Sequence, residues 1–228
     1  MSDEQVSVAG GGGWSGGGWP GGGYGAPLAG ATYRAAIGSQ HADLPIVALD
    51  DEQAIALMMT IDLGVRFTAV AAAELARVLS PARPQLIVSV ATLGIPVAFE
   101  VSRCLGLDDY LILQKSPKVH LRDCLRESAG SITSTATQHL LLDRRRIGCV
   151  HGRRVAFVDD VISTGASAAA ALRLLRRAGA DIVAIGALLA ESDAWRSALG
   201  QDAGLVQTLG QIPLFQRGSH GEWVPRRG

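Results

Sequence analysis

One segment of this chain constrains its fold more than any other: a short apolar run that leads through two acids and several small residues into an amphipathic helix. The run "RVAFV" (154–158) predicts a strand, and the apolar positions after it recur at the three-and-four spacing of a buried helical stripe. Gly179 follows the stripe, where helices often end. "IVAIGALLA" (182–190) then predicts a second strand. The stripe consists of Ala168, Ala171, Leu172, Leu175 and Ala178.

The same alternation occurs earlier in the chain. "LIVSV" (86–90) and "YLILQ" (110–114) predict strands, and between them Pro96 suits the first turn of a helix that buries Val97, Val101, Cys104 and Leu105. Strand, helix and strand in succession indicate a parallel sheet. We therefore expect an α/β fold with an open, mostly parallel sheet and helices on both faces.

Two further segments are predicted to be helical. "VAAAELARVL" reads as a helix that Pro81 closes, and Asp50 and Asp51 are candidate N-caps for the segment "DDEQAIALMMTIDLG". The alternation fails between 116 and 150, which predicts a loop or hairpin excursion whose arms are "SITST" and "QHLLLD". Cys104 is expected to be a small core residue.

Composition narrows the class of protein. The 228 residues are 48% hydrophobic, which is enough for a sizeable core. Lysine plus arginine (21) equals aspartate plus glutamate (21), so charge gives no reason to expect nucleic acid or a membrane as partner. The three cysteines have no CxxC spacing, no apolar run is long enough to span a bilayer, and the N-terminus does not resemble a signal peptide. We expect a soluble, cytoplasmic protein.

The acidic pair and the small residues after it indicate a ligand. Asp159 and Asp160 place two like charges at the edge of a core, which is unfavourable unless a ligand, a metal or water compensates them. Residues 163–167 ("STGAS") offer backbone N–H groups and hydroxyls at a helix start, an arrangement that suits a phosphate. A phosphate beside a vicinal diol describes ribose 5-phosphate.

"VAFVDDVISTGAS" resembles the signature with which type I phosphoribosyltransferases bind 5-phosphoribosyl 1-diphosphate (PRPP). "SVATLGIP" (89–96) is similar to that family's diphosphate loop, which often contains a non-proline cis peptide, and "LQKSPKVH" (113–120) resembles the start of its catalytic loop. Ala166 departs from the family's glycine and Ser167 from its threonine. The resemblance assigns catalysis to Asp159, Asp160, Lys115 and Lys118, and PRPP binding to Ala91, Thr92, Leu93, Gly94, Asp159, Asp160, Ser163, Thr164, Gly165, Ala166 and Ser167.

The resemblance also implies an activity and an organisation. A member would transfer the phosphoribosyl group of PRPP to a purine, with adenine favoured, in nucleotide salvage. It would use Mg²⁺, held at Asp159 directly or through water and mostly by the substrate, and would form a homodimer. We expect a glycine-rich disordered tail over 1–30 and one domain over 31–228, with a base-binding hood from 31–50 and 205–228 and a flexible loop over 116–137.

Three alternatives remain open from the sequence. In the first, the protein is a phosphoribosyltransferase whose base is xanthine, guanine or orotate instead of adenine. The chain would otherwise be a PRPP-binding transcriptional regulator without catalysis, although its short extension is almost uncharged. A receiver or flavodoxin-like module is disfavoured, because it does not need the long excursion between strands.

Overall fold

The computed structural model describes residues 7–8, 27–116, 123–129, 139–219 and 221–226. Short 3-10 helices lie at Ser80–Ala82, Arg144–Cys149 and Gly200–Leu205. The other described elements, in chain order, are β1 (Ser7–Val8), β2 (Pro27–Ile37), β3 (Gln40–Ala48), β4 (Gln53–Ala56), α1 (Thr60–Leu79), β5 (Leu86–Val90), α2 (Gly94–Cys104), β6 (Tyr110–Leu113), β7 (Cys124–Ser128), β8 (His139–Asp143), β9 (Arg154–Ile162), α3 (Ala166–Arg177), β10 (Asp181–Glu191), α4 (Ala194–Leu199), β11 (Val206–Ile212), β12 (Leu214–Arg217) and β13 (Trp223–Pro225).

A parallel sheet forms the centre of the molecule, in the strand order β11-β10-β9-β5-β6. Strand β9 is buried on both faces: Ala156 and Val158 pack in the cluster that contains α1 and α2, whereas Val155 and Phe157 pack in the cluster that contains α3. Apolar residues on both faces are typical of a parallel strand covered by helices. The predicted α/β fold, with helices on both faces of a parallel sheet, is confirmed.

The helix predictions are confirmed in part. The predicted helical segments lie in α1, α2 and α3. Gly179, which was predicted to end the last of them, lies just after α3 and has a φ of 86°. The predicted caps Asp50 and Asp51 are wrong, because the chain there turns into strand β4. The Asp50 carboxylate accepts the backbone N–H groups of Glu52 (2.8 Å) and Gln53 (2.7 Å), as short acidic side chains do in turns.

Cys104 corrects another prediction. It is exposed at the end of α2, whereas Val97 and Val101 on the same helix are fully buried. The predicted spacing therefore fails at Cys104 alone, because Ser102 takes the buried position in this turn and Leu105, just after the helix, packs partly buried against the core.

A second sheet is built from both ends of the chain, in the order β1-β2-β3-β4-β12-β13. It contains much of the segments expected to form a hood, but residues 206–212 lie in the parallel sheet as β11 instead. The two sheets meet where the Gly38 N–H donates to the Leu209 carbonyl (3.0 Å). Most of the predicted disordered tail, 1–30, lies outside the described residues. Its described parts are strands, because Ser7 and Val8 pair with β2, and β2 itself begins at Pro27.

The excursion after β6 contains a hairpin, as predicted. Its arms are β7 and β8, so the arm opposite β8 is Cys124–Ser128 and not "SITST", which lies outside the described residues. Glu127 fixes this hairpin to α3 by accepting bonds from Arg173 and Arg177, each at 2.9 Å.

Within the described ranges, the structure contains no helix that is both long and apolar enough to cross a bilayer.

Candidate active site

A cavity of about 500 Å³ opens at the carboxyl ends of β5, β9 and β10, where ligands bind in open α/β sheets. Strand β9 continues through the acidic pair to Ile162, so both acids stand at the end of a strand and not in a turn. Most of the predicted site residues line this cavity. They are Ala91, Thr92, Leu93, Lys115, Asp159, Asp160, Ser163, Thr164, Gly165, Ala166 and Ser167.

Two predicted site residues are placed differently. Gly94 is buried beside the cavity and packs against Ser89 and Asp159. Lys118 lies outside the described residues.

The electrostatics of the acidic pair are unfavourable without a ligand. Burial raises the pKa of Asp159 well above its ordinary value, and the negative charge of Asp160 raises it further. Burial also raises the pKa of Asp160. The positive charge of Lys115 lowers both pKa values, and the backbone N–H of Asp160 donates to Asp159 Oδ1 (3.1 Å). The pair therefore favours a proton, a cation or hydroxyl donors at this edge of the sheet.

The turn between β9 and α3 has the geometry of an anion site. Gly165 has a φ of 77°, a left-handed conformation that glycine adopts without steric cost. Helix α3 begins at Ala166 with no acidic side chain in its first turn, so the helix itself supplies no negative charge to offset its positive end. Ala166 is helical, and the departure from glycine at this position therefore needs no unusual backbone conformation.

The loop after β5 is held by contacts that the sequence analysis missed. Its Ala91–Thr92 peptide bond is cis, as the resemblance implied. The buried Thr60 hydroxyl, at the start of α1, donates to the Leu93 carbonyl (3.0 Å). The Ala91 N–H donates to the Leu113 carbonyl (3.0 Å). Thr60 is 33 residues from Leu93, and no local pattern indicates such a contact.

The close approach of Gly94 to the acidic pair was also missed. A Cβ added at Gly94 would lie 2.1 Å from Ser89 Oγ and 2.6 Å from Asp159 Oδ1. The start of α2 therefore packs directly on the carboxylate of Asp159, and only glycine leaves room for it. Ser89 Oγ is buried there without a hydrogen-bond partner among the described residues.

The residues at this edge fit part of the coordination shell of a magnesium ion. No group of three or more potential metal ligands occurs among the described residues. Mg²⁺ usually binds one or two carboxylates, with substrate phosphates and water completing its octahedron. Asp159 and Asp160 supply oxygen ligands of this kind, and a cation would relieve the repulsion between them.

Comparison with known proteins identifies the family. The Phosphoribosyl transferase domain model matches residues 66–203. The adenine phosphoribosyltransferase of Mycobacteroides abscessus is 57% identical over 42 residues, covering 18% of this chain and 24% of that protein. That of Rhodospirillum centenum is 32% identical over 111 residues, covering 49% of this chain and 61% of that protein. The hypoxanthine/guanine phosphoribosyltransferase of Methanococcus voltae is 31% identical, covering 58% of this chain and 66% of that protein. The chain thus spans less than two thirds of the length of these curated relatives.

Solved structures show the same fold. The adenine phosphoribosyltransferase of Rhodothermus marinus has a TM-score of 0.52 at 25% identity, covering 62% of this chain and 77% of that one. The Giardia lamblia enzyme, complexed with 9-deazaadenine, has a TM-score of 0.56 at 16% identity, covering 79% of this chain and 93% of that one. Since the family model also matches more than half of the chain, the resemblance noted in the sequence is confirmed, and the chain belongs to the type I phosphoribosyltransferase family.

Proposed function

We propose that this protein transfers the 5-phosphoribosyl group of PRPP to a purine base, with adenine favoured, and releases diphosphate. The observation that carries the proposal is the composition of one cavity. It brings the acidic pair, the helix start with its hydroxyl-rich turn, and Lys115 to the same edge of the sheet. These three features match the ribose hydroxyls, the 5-phosphate and the diphosphate of PRPP.

The phosphate and the ribose would bind on neighbouring strand ends. The N–H groups and hydroxyls of residues 164–167 would donate to the 5-phosphate at the positive end of α3. Asp159 and Asp160 would accept hydrogen bonds from the two ribose hydroxyls, which replace the water that burial has removed. Bonds to charged groups contribute about 1.5 to 3 kcal/mol each, so a few of them suffice to select the sugar phosphate.

The reaction would be a displacement at the anomeric carbon. A nitrogen of the base forms the new C–N bond and the base gives up one N–H proton to water, while the C–O bond to diphosphate breaks and diphosphate leaves with the electron pair. Mg²⁺, held by substrate oxygens and at Asp159 directly or through water, would neutralise charge on the leaving group. Lys115 lines the cavity, where its ammonium group would bind diphosphate, and we assign the same role to Lys118. Exclusion of water would prevent hydrolysis of PRPP.

The choice of base rests on the relatives. The proteins from M. abscessus and R. centenum are adenine phosphoribosyltransferases, whereas that of M. voltae is a hypoxanthine/guanine phosphoribosyltransferase. Adenine is therefore the favoured base, and xanthine, guanine and orotate are the alternatives. We assign recognition of the base to the hood expected over 31–50 and 205–228.

The test is an assay of diphosphate release. Purified protein is incubated with Mg²⁺, PRPP and each of adenine, hypoxanthine, guanine, xanthine and orotate. We expect release with a purine, fastest with adenine. Saturable PRPP binding without release for any base would favour a PRPP-binding regulator instead, and the absence of both binding and release would contradict the proposal.

We further propose that the protein acts in the cytoplasm as a homodimer. Ile61 and Val65 on α1 and Phe99 on α2 are large apolar side chains that are 61%, 83% and 49% exposed, and a second copy would cover them. Light scattering of the purified protein measures its oligomeric state directly, and a monomer at micromolar concentration would contradict the proposed homodimer.

A further inference from the structure

Glu191 is a buried carboxyl group at the end of β10 that the roles assigned above do not use. Only 6% of the surface of Glu191 is exposed, and burial raises the pKa of its carboxyl group above the ordinary value. Throughout the part of the chain that the structure describes, no ion pair reaches this carboxyl group. A buried carboxyl without a counter-ion is unfavourable unless hydrogen bonds compensate it. Its position at the end of β10, beside the turn that leads into α3, therefore needs an explanation.

The side chain of Glu191 accepts a hydrogen bond from Ser163, a predicted site residue. Ala190 pairs with Ile162 across the sheet, so the next residues, Glu191 and Ser163, lie side by side where the two strands end. The Ser163 hydroxyl donates to Glu191 Oε2. Ser163 is the first residue after β9 and begins the turn of residues 163–165 that leads into α3, which we call the phosphate turn. Its hydroxyl is bonded to Glu191 and so is not free to donate to a ligand.

The chain that follows Glu191 supports the same turn. Trp195 is 4% exposed, and its indole N–H donates to the Ser192 carbonyl (3.1 Å). A Cβ added at Gly165 would lie 3.0 Å from both Trp195 Cα and Trp195 O, so the turn rests directly on this residue. Residues 191–195, which we call the turn support, therefore hold the turn at both of its ends, through Ser163 and through Gly165.

We propose that Glu191 is a positioning residue for the binding of the 5-phosphate of PRPP. Through Ser163 it fixes the conformation of the turn at the start of α3, where the 5-phosphate would bind. A turn ordered during folding does not have to be ordered again when the ligand binds, which increases affinity. This inference rests on the proposed function and adds to it a residue that does not touch the substrate.

The experiment is calorimetric titration of the full-length protein with ribose 5-phosphate and with PRPP plus Mg²⁺. Glu191→Ala removes the acceptor, and we expect it to weaken binding of both ligands about 10-fold, the equivalent of one net hydrogen bond. Glu191→Gln keeps a carbonyl acceptor for Ser163 and is expected to stay within about 3-fold of the wild type. In steady-state kinetics, Glu191→Ala should raise the KM for PRPP with a much smaller change in kcat.

Further variants separate positioning from a general loss of structure. Ser163→Ala should weaken binding as Glu191→Ala does, and the double variant should be no weaker than either, because both remove one contact. If Glu191→Ala does not fold, Ser163→Ala carries the test. Glu52→Ala removes an exposed carboxyl between β3 and β4 and should bind normally. Wild-type affinity in Glu191→Ala or Ser163→Ala would overturn the inference. Failure of the wild type to bind either ligand would instead contradict the proposed function.

Discussion

Replacement of Gly94 by alanine tests how closely the start of α2 packs on the acidic pair. Gly94 is the first residue of α2 and its φ is not positive, so only the available space opposes a side chain there. The new Cβ would lie 2.1 Å from Ser89 Oγ and 2.6 Å from Asp159 Oδ1, and both distances are too short for real atoms. Ser89, Asp159 or the helix start must therefore move.

The size of the effect follows from opposing terms. Overpacking of a filled site costs about 1 to 3 kcal/mol, whereas alanine in a helix is favoured over glycine by up to about 1 kcal/mol. The net of these two terms spans about 0 to 3 kcal/mol, and we expect the free energy of unfolding to fall by about 1.5 kcal/mol, the middle of that range. A displacement of about 1 Å at a reacting centre costs about 100-fold in rate, so kcat/KM for PRPP should fall by about that factor.

Urea denaturation and diphosphate release measure the two effects. Gly148→Ala is a matched control, because a Cβ there meets nothing within 4 Å. Ser89→Ala combined with Gly94→Ala should regain part of the lost stability, since the closest contact is gone, but not turnover, since the contact with Asp159 remains. Wild-type stability and turnover in Gly94→Ala would refute the packing described for this loop.

Three further predictions concern the acids and the phosphate turn. Asp160→Asn should lower turnover about 100-fold or more, because one preorganised electrostatic contact is lost; unchanged kinetics would remove Asp160 from the site. Gly165→Ala should lower the free energy of unfolding by about 1 to 3 kcal/mol and weaken ribose 5-phosphate binding, because its positive φ and its contact with Trp195 both disfavour a side chain; calorimetry that matches the wild type would contradict this. Burial raises the pKa of Asp159 in the folded state, so the ligand-free protein loses stability as pH rises from the unfolded pKa through the folded one. Asp159→Asn should remove that loss and be more stable than the wild type at pH 8 though inactive, and equal dependence on pH in denaturation experiments would argue against it.

The parts of the fold that could be predicted are those with strong local periodicity. The run 154–158, the acidic pair and the stripe from Ala168 to Ala178 belong to one continuous strand-turn-helix unit, whose pattern depends only on neighbouring residues. The place of the cavity follows from the rule that the carboxyl ends of parallel strands meet, which brings the acidic pair and residues 163–167 to it. The other predicted lining residues, Ala91, Thr92, Leu93 and Lys115, came from the family resemblance.

The errors have a different physical origin. The segment 53–56 is too short for its period to distinguish a strand from a helix, and its pairing with β12, far along the chain, decides the outcome. The contact of Thr60 with Leu93 spans 33 residues and that of Ser163 with Glu191 spans 28, so no spacing in the sequence reveals either. The surroundings of a site depend on such distant contacts, whereas its motif does not.

The central claim is that the cavity at the ends of β5, β9 and β10 binds PRPP. Calorimetric titration of the purified protein with PRPP in the presence of Mg²⁺ tests it most directly. The account predicts saturable binding at one site per chain, with ribose 5-phosphate competing for the same site. The absence of PRPP binding, or binding that ribose 5-phosphate does not displace, would contradict it.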